Sequence, residues 1–302
     1  MKNKIKAVIN LIRQGKLRHH INTKYKKIFY IKNKIIRNIQ LKDIEYRKMK
    51  KKYNYVLEKV ESVKKEKSNK VWMCWLQGEE NAPDLVKKCI QTARDTLKDR
   101  ELIIITNENY KEYIDFPKYI IEKFESKIIP YTQFSDLIRI ALLAKYGGLW
   151  LDATVLCTDV LPKYITESEL FVFKEISLER VDKAPVVASS WLISAYSNNE
   201  IIVATRDLVY EYWKHEKILN NYFNFHLFFT IATEKFKEQW EKVPTFSNIP
   251  PHILQFELLN EYNEERFKQI KEISSVHKLN KAIVNKDKNK YTFYDHIISE
   301  KV

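Results

Sequence analysis

The chain has 302 residues, of which 45% are hydrophobic and 30% are charged. These values are typical of a soluble globular protein, and the length favours one domain with an appendage over two full domains. No stretch reaches about 18 uncharged apolar residues, and the lysine-interrupted N-terminus lacks a small-residue cleavage site, so the sequence predicts neither a membrane-spanning helix nor a secretory signal.

The net charge of +14 is concentrated at the N-terminal end of the chain. Residues 1–69 carry 22 Lys and Arg against 5 Asp and Glu, which gives +17 and leaves −3 for the rest. Apolar residues recur among these lysines at roughly helical spacing, which predicts basic amphipathic helices. Because such helices bind anionic membrane surfaces, we expect residues 1–69 to form a basic helical arm on such a membrane. Contact with a protein is the alternative, and no nucleic acid is expected, because the arm has no recognisable groove-reading motif.

Cysteine and glycine usage narrows the class of protein further. Cys74, Cys89 and Cys157 lack metal-ligand spacing and lie in apolar or helical segments, which predicts buried thiols and a reducing cytoplasm. The sequence has only four glycines and contains no GxGxxG or Walker-type loop. Dinucleotide-binding and P-loop proteins are therefore disfavoured.

The sequence from residue 70 onward predicts alternating strands and helices. Val71–Gln77 is an aromatic and apolar strand, and a helix follows with Pro83 at an early position that needs no backbone donor. Arg100–Thr106 contains a second buried strand, rich in isoleucine. Tyr110–Ile129 is predicted to be an irregular helical segment, broken at a proline. This alternation indicates a parallel sheet with covering helices.

The central segment of the chain contains the strongest local signal. Phe134–Tyr146 is long and apolar enough to form a buried helix, and Leu149–Leu151 is a short strand that ends at Asp152. Open α/β sheets bind ligands at the carboxyl ends of their strands, so a site is expected at Asp152. Asp136 and Arg139 share one face of the helix, and buried charges are costly unless they are paired or bind a ligand. A simple ion pair is the alternative to a ligand-binding role.

The remainder of the chain predicts further strands and helices that pack on the sheet. Trp72, Trp191 and Trp213 are interpreted as core residues, and His226 as a structural histidine in an aromatic helix. The predicted strands are Glu169–Lys174 and Val186–Ile193, and the predicted helices are Glu200–His215, Tyr222–Phe236, one that begins at Pro250, and Glu264–Ile273.

The order S-D-x-x-R, an apolar helix, and then Y-G-G-L-W-L-D resembles the signature of sugar-nucleotide glycosyltransferases of the DXD type, and especially the capsular polysaccharide synthesis branch. The resemblance is strongest over residues 70–160. It implies an α/β fold of GT-A-like type, with a mostly parallel sheet flanked by helices after the basic helical arm. It also implies a hexosyltransferase that moves a sugar from a nucleotide-diphosphate donor, with UDP-sugars favoured, to a glycan or lipid-linked glycan acceptor in a growing capsular or cell-surface polysaccharide. Retention at the anomeric carbon is implied as well.

The resemblance also implies roles for particular residues. In these families the Asp and Arg of S-D-x-x-R contact the donor sugar and ribose, and the Asp after G-G-x-x-L holds a divalent cation on the diphosphate; these positions are Asp136, Arg139 and Asp152. The chain departs from the D-x-D pattern here, because it reads Asp152, Ala153, Thr154 and lacks the second carboxylate. The implied cofactor is Mn²⁺ or Mg²⁺, with Asp152 as its main ligand and Thr154 as a further one.

Other donor-binding candidates lie at the ends of the first strand and of the chain. Trp75 matches the tryptophan that stacks on the nucleotide base in these families, with core packing as the alternative, and Gln77 and Trp150 accompany it as donor-binding candidates. His277 and Lys278 are candidates because neutral imidazole binds metal ions and ammonium binds phosphate. A surface turn is the alternative for this pair.

Two other classes of function remain open at this level. The missing second carboxylate allows a non-catalytic membrane or nucleic-acid adaptor, and a toxin-like protein glycosyltransferase shares the same motif. In the second case the arm would direct the protein to a host membrane or protein. For the capsular enzyme, the expected location is the cytoplasm, on the inner face of the plasma membrane.

Overall fold

The computed structural model describes residues 34–176, 185–287 and 289–299. The chain divides into two compact units, Met1–Ile44 and Glu45–Val302. Helix α1, Lys34–Tyr53, begins in the first unit, and the helices predicted before it lie outside the described residues. Among the described helices, none combines the length and the apolar character that crossing a membrane requires.

A five-stranded sheet forms the centre of the second unit. The described strands are β1 (Lys70–Cys74), β2 (Glu101–Ile105), β3 (Gly148–Leu151), β4 (Val155–Cys157), β5 (Leu170–Lys174), β6 (Ala188–Ala195) and β7 (Val276–Lys278). The order in the sheet is β2-β1-β3-β6-β5, and β4 pairs with β7 in a second, two-stranded sheet. Strand β1 is parallel to β2 and β3, whereas β6 is antiparallel to β3 and β5. Four strands of the central sheet therefore run in one direction, which confirms the mostly parallel sheet that the sequence predicts.

Helices cover both faces of this sheet. Along β1, Val71 and Met73 face one core, whereas Trp72 and Cys74 face the other. This alternation is the period of two that a strand imposes, and it explains why the strand is apolar throughout. The described helices are α2 (Asp84–Thr96), α3 (Tyr110–Tyr113), α4 (Lys118–Glu125), α5 (Tyr131–Tyr146), α6 (Lys163–Thr166), α7 (Glu200–His215), α8 (Asn224–Lys235), α9 (Lys237–Lys242), α10 (Ile253–Glu257), α11 (Glu264–Ile273) and α12 (Phe293–Ser299).

Residues 45–69, which precede β1, form part of the core of the second unit. Met49, Tyr53 and Leu57 are buried in the same core as α5 and α7. The Lys65 ammonium lies 2.7 Å from a carboxylate oxygen of Glu200, which fixes the end of this segment to α7. The unit boundary at Ile44 thus lies before the boundary at residue 69 that charge predicts, because frequent lysines obscure the few apolar residues that are buried.

Two glycines make the tight connection between α5 and β3. Gly147 has φ +65° and Gly148 has φ +99°, which side chains rarely allow. A Cβ at Gly147 would lie 2.5 Å from the backbone nitrogen of Ser197, and one at Gly148 would lie 2.4 Å from the Lys70 carbonyl oxygen. The Trp72 indole N–H donates a hydrogen bond of 2.9 Å to the Gly147 carbonyl. The connection thereby holds α5 directly beside β3.

The three cysteines are free and buried, as the sequence predicts. Burial raises the pKa of Cys74 and of Cys157 to about 12, and it also raises the pKa of Cys89. Under native conditions these thiols are therefore protonated. Trp72, Trp191 and Trp213 are buried as well, which confirms their interpretation as core residues.

Candidate active site

A cavity of about 510 Å³ opens at the carboxyl ends of β1 and β3. These two parallel strands are neighbours, and the chain leaves β1 for β2 on one side before returning to β3 on the other. Such a change of direction leaves a crevice at the strand ends, where open α/β sheets bind their ligands. The volume lies in the range of about 300–1000 Å³ that is usual for small-molecule sites.

A buried guanidinium joins two carboxylates at the floor of this cavity. Arg139 donates to Asp136 from one nitrogen and to Asp152 from another, at 2.8 Å in the second case. The Trp150 indole N–H also donates to Asp152, at 3.0 Å. The guanidinium carbon lies 4.9 Å from the Trp150 ring centre and 5.3 Å from that of Phe225. Arg139 is only 4% exposed, so its position is fixed by these partners before any ligand arrives.

The two carboxylates differ in their electrostatic environment. Burial raises the pKa of Asp136 to about 6; the Arg139 charge opposes this effect and the Asp152 charge adds to it. Burial acts in the same direction on Asp152, but the charges of Arg139 and Lys278, with the hydrogen bonds from Trp150 and Arg139, outweigh it and lower the pKa of Asp152. One shared guanidinium thus cannot compensate both carboxylates equally. Asp152, which has the additional cation, is the more firmly ionised of the two.

Lys278 reaches this cluster from a distant part of the sequence. Strand β7 pairs antiparallel with β4 and aligns Lys278 with Val155. The Lys278 ammonium lies 3.4 Å from the second carboxylate oxygen of Asp152 and donates a hydrogen bond to the Thr154 hydroxyl. Both oxygens of Asp152 therefore face a cation, Arg139 at one and Lys278 at the other.

Residues 22–297 match the family model described as capsular polysaccharide synthesis protein. The chain belongs to this family. The match confirms the resemblance inferred from the central motif. A search of curated proteins gave no match. A solved structure titled PaToxG Glycosyltransferase is similar at 17% identity and a TM-score of 0.39, with 66% of this chain and 82% of that chain covered.

The fold of this capsular polysaccharide synthesis family member brings most of the predicted site residues to one cavity. The turn after β1 contributes two of them, helix α5 two, the end of β3 and the following turn three, and β7 one. In this order they are Trp75, Gln77, Asp136, Arg139, Trp150, Asp152, Thr154 and Lys278. They come from three separate stretches of the chain, residues 75–77, 136–154 and 278. The cavity is therefore lined by the elements that the sequence analysis identified.

His277 is the predicted site residue that the structure does not bring to the cavity. Its side chain is fully buried, and its Nε2 atom lies 3.1 Å from the Thr158 hydroxyl. Burial, with a further contribution from Lys271, lowers the pKa of His277 to about 4, so the imidazole is neutral. Neighbouring residues of a strand point to opposite faces, so the strand that directs Lys278 into the cavity directs His277 into the core. The metal-binding role predicted for His277 is therefore not supported.

The remaining donor set does not fit a divalent cation held by the protein. Within residues 34–176, 185–287 and 289–299, no group of three or more His, Cys, Asp or Glu side chains is arranged to hold a metal ion. The Asp152 carboxylate already accepts hydrogen bonds from Arg139 and Trp150 and lies beside the Lys278 ammonium. The Thr154 hydroxyl accepts a hydrogen bond from the same ammonium. A hard cation usually binds several oxygen ligands, and here the one Asp152 oxygen that accepts no hydrogen bond already lies 3.4 Å from an ammonium group.

Several residues of the cavity wall carry no local signal in the sequence. Tyr222 and His226 come from the start of α8 and the residues before it, His252 and Gln255 from the region of α10, and Lys281 from the turn after β7. His226, which was interpreted as a structural histidine, also lines the cavity. The Lys281 ammonium lies 4.7 Å from the Trp75 ring centre. The sequence could have indicated Lys281 only through its spacing, three residues after the predicted site residue Lys278.

Proposed function

We propose that this protein is a glycosyltransferase that transfers a sugar from a nucleotide-diphosphate donor to a growing capsular or cell-surface polysaccharide. The observation that carries the proposal is the Asp136–Arg139–Asp152 cluster at the floor of a cavity at the ends of β1 and β3. Buried charges at such a place cost stability unless they serve a ligand or one another. The cavity also offers an aromatic ring and two ammonium groups, which suit the base and the phosphates of one ligand.

The donor's leaving group determines what the cavity must supply. As the glycosidic bond breaks, negative charge increases on the diphosphate, and fixed cations stabilise this charge most when water is excluded. Lys278 and Lys281 line the cavity and supply two positive charges. The Trp75 ring, which Lys281 approaches, offers a stacking surface for the base. These contacts favour a nucleoside diphosphate, and among the possible donors we propose a UDP-hexose.

The sugar of the donor would lie against Asp136 and Arg139. Carboxylate oxygens accept hydrogen bonds from sugar hydroxyls, and a guanidinium donates to ring and hydroxyl oxygens in a fixed geometry. Because Arg139 is held by two carboxylates and two aromatic rings, it can orient a hydroxyl with little loss of side-chain entropy. We propose transfer with retention at the anomeric carbon, as the family motif implies.

The acceptor would enter past two tyrosines at the edge of the cavity. Tyr131 and Tyr222 line the cavity, and both are more than half exposed. Exposed aromatic rings with a polar tip suit sugar rings, which present both apolar and hydroxyl surfaces. We propose a glycan, free or lipid-linked, as the acceptor.

Residues 1–44 contain 13 Lys and Arg against one acidic residue, Asp43. We propose that these residues hold the protein on the anionic inner face of the plasma membrane.

The test is turnover of a panel of nucleotide sugars by the full chain and by matched arginine variants. Arg139→Lys keeps the charge but loses the planar guanidinium that donates to the two carboxylates from separate nitrogens, so we expect kcat/KM to fall about 100-fold. Arg94→Lys is the control, because Arg94 pairs with Glu79 at the surface, outside this cavity. Unchanged turnover in Arg139→Lys would contradict the proposed role of the cluster. Failure of the folded full chain to bind or cleave any nucleotide sugar would favour the adaptor hypothesis instead.

A further inference from the structure

We propose that the Lys278 ammonium takes the place of the divalent cation that the D-x-D pattern implies, so that donor binding and transfer need no metal ion. This inference rests on the proposed function, because it concerns the diphosphate of the same donor. It starts from a disagreement between the family motif and the side chains that surround Asp152. The motif implies a divalent cation beside Asp152, whereas the structure places the Lys278 ammonium beside that carboxylate.

The first step is the occupancy of the Asp152 carboxylate. One oxygen accepts hydrogen bonds from Arg139 at 2.8 Å and from Trp150 at 3.0 Å. The other oxygen lies 3.4 Å from the Lys278 ammonium. The Thr154 hydroxyl, which occupies the position of the missing second carboxylate, accepts a hydrogen bond from the same ammonium. Lys278 therefore contacts both side chains that would otherwise ligate the cation.

The second step is the charge of the cluster. Asp136 and Asp152 contribute two negative charges, and Arg139 and Lys278 contribute two positive charges, so the cluster is balanced. A second carboxylate in place of Thr154 would leave a negative excess for a divalent cation, but Thr154 is neutral. A divalent cation beside Asp152 would instead meet two fixed positive charges at close range, and its binding would be opposed.

The third step is the way in which Lys278 is held. Its strand pairs with β4, which follows Asp152 by only a short turn, and the Leu279 N–H donates to the Thr154 carbonyl at 2.9 Å. The ammonium group is thus placed beside Asp152 by backbone hydrogen bonds. The Lys278 side chain is 20% exposed, which leaves it accessible from the cavity. An organised cation of this kind can neutralise a leaving phosphate without a metal ion.

A second ammonium group extends the same surface toward the base site. Lys281 approaches the Trp75 ring at 4.7 Å, while Lys278 lies at Asp152. In the proposed binding mode the sugar lies at Asp136 and Arg139 and the base at Trp75, so the diphosphate joins these two places. Lys278 and Lys281 then flank the diphosphate from one short segment of chain. Phosphate recognition by point-charge lysines is a well-established use of this side chain.

The experiment measures UDP binding to the full chain by calorimetry in excess EDTA and in excess Mn²⁺, with GDP, ADP, CDP and dTDP as further probes. We expect wild-type Kd to differ less than about twofold between the two conditions, which is within about 0.4 kcal/mol. Lys278→Met retains most of the length of the side chain and removes its charge. In EDTA we expect it to weaken nucleotide binding about 10- to 100-fold, the range for a lost hydrogen bond to a charged group.

The variant also provides a readout that a structural role would not change. Once Lys278 is replaced, Asp152 loses one of its two cations, so Mn²⁺ should improve nucleotide binding by Lys278→Met although it does not improve that of the wild type. Lys281→Met should weaken binding without creating a response to Mn²⁺. Lys118→Met is the control, because the Lys118 side chain is 89% exposed and, among the described residues, pairs only with its helical neighbour Glu122. Thermal melting of each variant in EDTA checks that the fold is intact.

Two outcomes overturn the inference, and they differ in what they leave standing. In the first outcome, the wild type binds UDP in Mn²⁺ but not in EDTA, and Lys278→Met binds UDP equally well in Mn²⁺. The diphosphate is then neutralised by a metal ion and not by Lys278, and the proposed function survives. If none of the five nucleoside diphosphates binds in either condition, the proposed function fails and this inference fails with it.

Discussion

Removal of residues 1–69 should unfold the protein, whereas removal of residues 1–44 should leave the second unit intact. The two deletions differ in the segment 45–69, which includes Met49 at 3%, Val56 at 7% and Leu57 at 1% exposure. Full burial of such a side chain contributes about 1.5–3 kcal/mol, so these three contribute about 4.5–9 kcal/mol. The whole stability of a domain is about 5–15 kcal/mol. Loss of this segment therefore removes between about a third and all of the available stability.

The loss is not limited to apolar contacts. The Tyr53 hydroxyl donates to Glu216 at 2.8 Å, and Ser62 donates to Glu200 at 2.9 Å. When residues 45–69 are deleted, Glu200 in α7 and Glu216 directly after α7 lose these partners.

The value of about 4.5–9 kcal/mol for the apolar contacts is an upper value, because an unfolded chain already buries part of its apolar surface. Even half of it would exceed the effect of most single substitutions.

The assay is urea unfolding followed by far-ultraviolet circular dichroism on residues 45–302, on residues 70–302 and on the full chain. We expect a cooperative transition for residues 45–302 and none for residues 70–302. In the full chain, Leu57→Ala should cost about 2–5 kcal/mol, as large-to-small core substitutions do. A cooperative transition for residues 70–302 at the same urea midpoint as the full chain would refute the reasoning.

Three further predictions follow from features described above. Gly147→Ala should destabilise the protein by about 1–3 kcal/mol in urea unfolding, because a Cβ there would lie 2.5 Å from the Ser197 backbone at φ +65°; an unchanged midpoint would contradict the strained connection. The pKa of Asp136 is raised from 3.8 to about 6, so its contribution to the free energy of unfolding is present below pH 3.8 and is lost as pH rises toward 6. Asp136→Asn should remove that part of the pH dependence of stability, and an identical pH profile would exclude the assignment. The full chain should sediment with anionic vesicles at low salt and be released at high salt, whereas residues 45–302 should not sediment; equal sedimentation of both would place the membrane contact elsewhere.

The central motif was predictable because its signals are local. The apolar run that forms α5, the paired glycines and the short strand that ends at Asp152 each depend on neighbouring residues, and together they locate Asp136, Arg139 and Asp152. The parallel sheet was predictable for a similar reason, since buried strands alternated with helices along the chain. Local pattern therefore gave the architecture and the centre of the site.

The rest of the site depends on how distant segments pair. Which residue of the His277–Lys278 pair enters the cavity is decided by the register of β7 on β4, and no property of either residue alone reveals it. Tyr222 and His252 line the cavity only because α8 and α10 pack near the strand ends. The extent of the arm was also hidden, because the lysines of residues 45–69 dominate the composition while a few apolar side chains decide where the segment packs.

The three buried thiols give this protein its own reporters of local opening. Cys74 lines the cavity, whereas Cys89 lies on α2 and Cys157 on β4. Because a protonated thiol reacts slowly, Cys74 should be alkylated slowly from the cavity, whereas Cys89 and Cys157, which are 0% exposed, should be alkylated only when the core opens and admits solvent. The alkylation rate of Cys74 should then fall when a nucleotide fills the cavity, while the rates of Cys89 and Cys157 follow the opening of the core beneath it. Mass spectrometry of the three sites would thus measure ligand binding and fold stability in one native sample, without an introduced label.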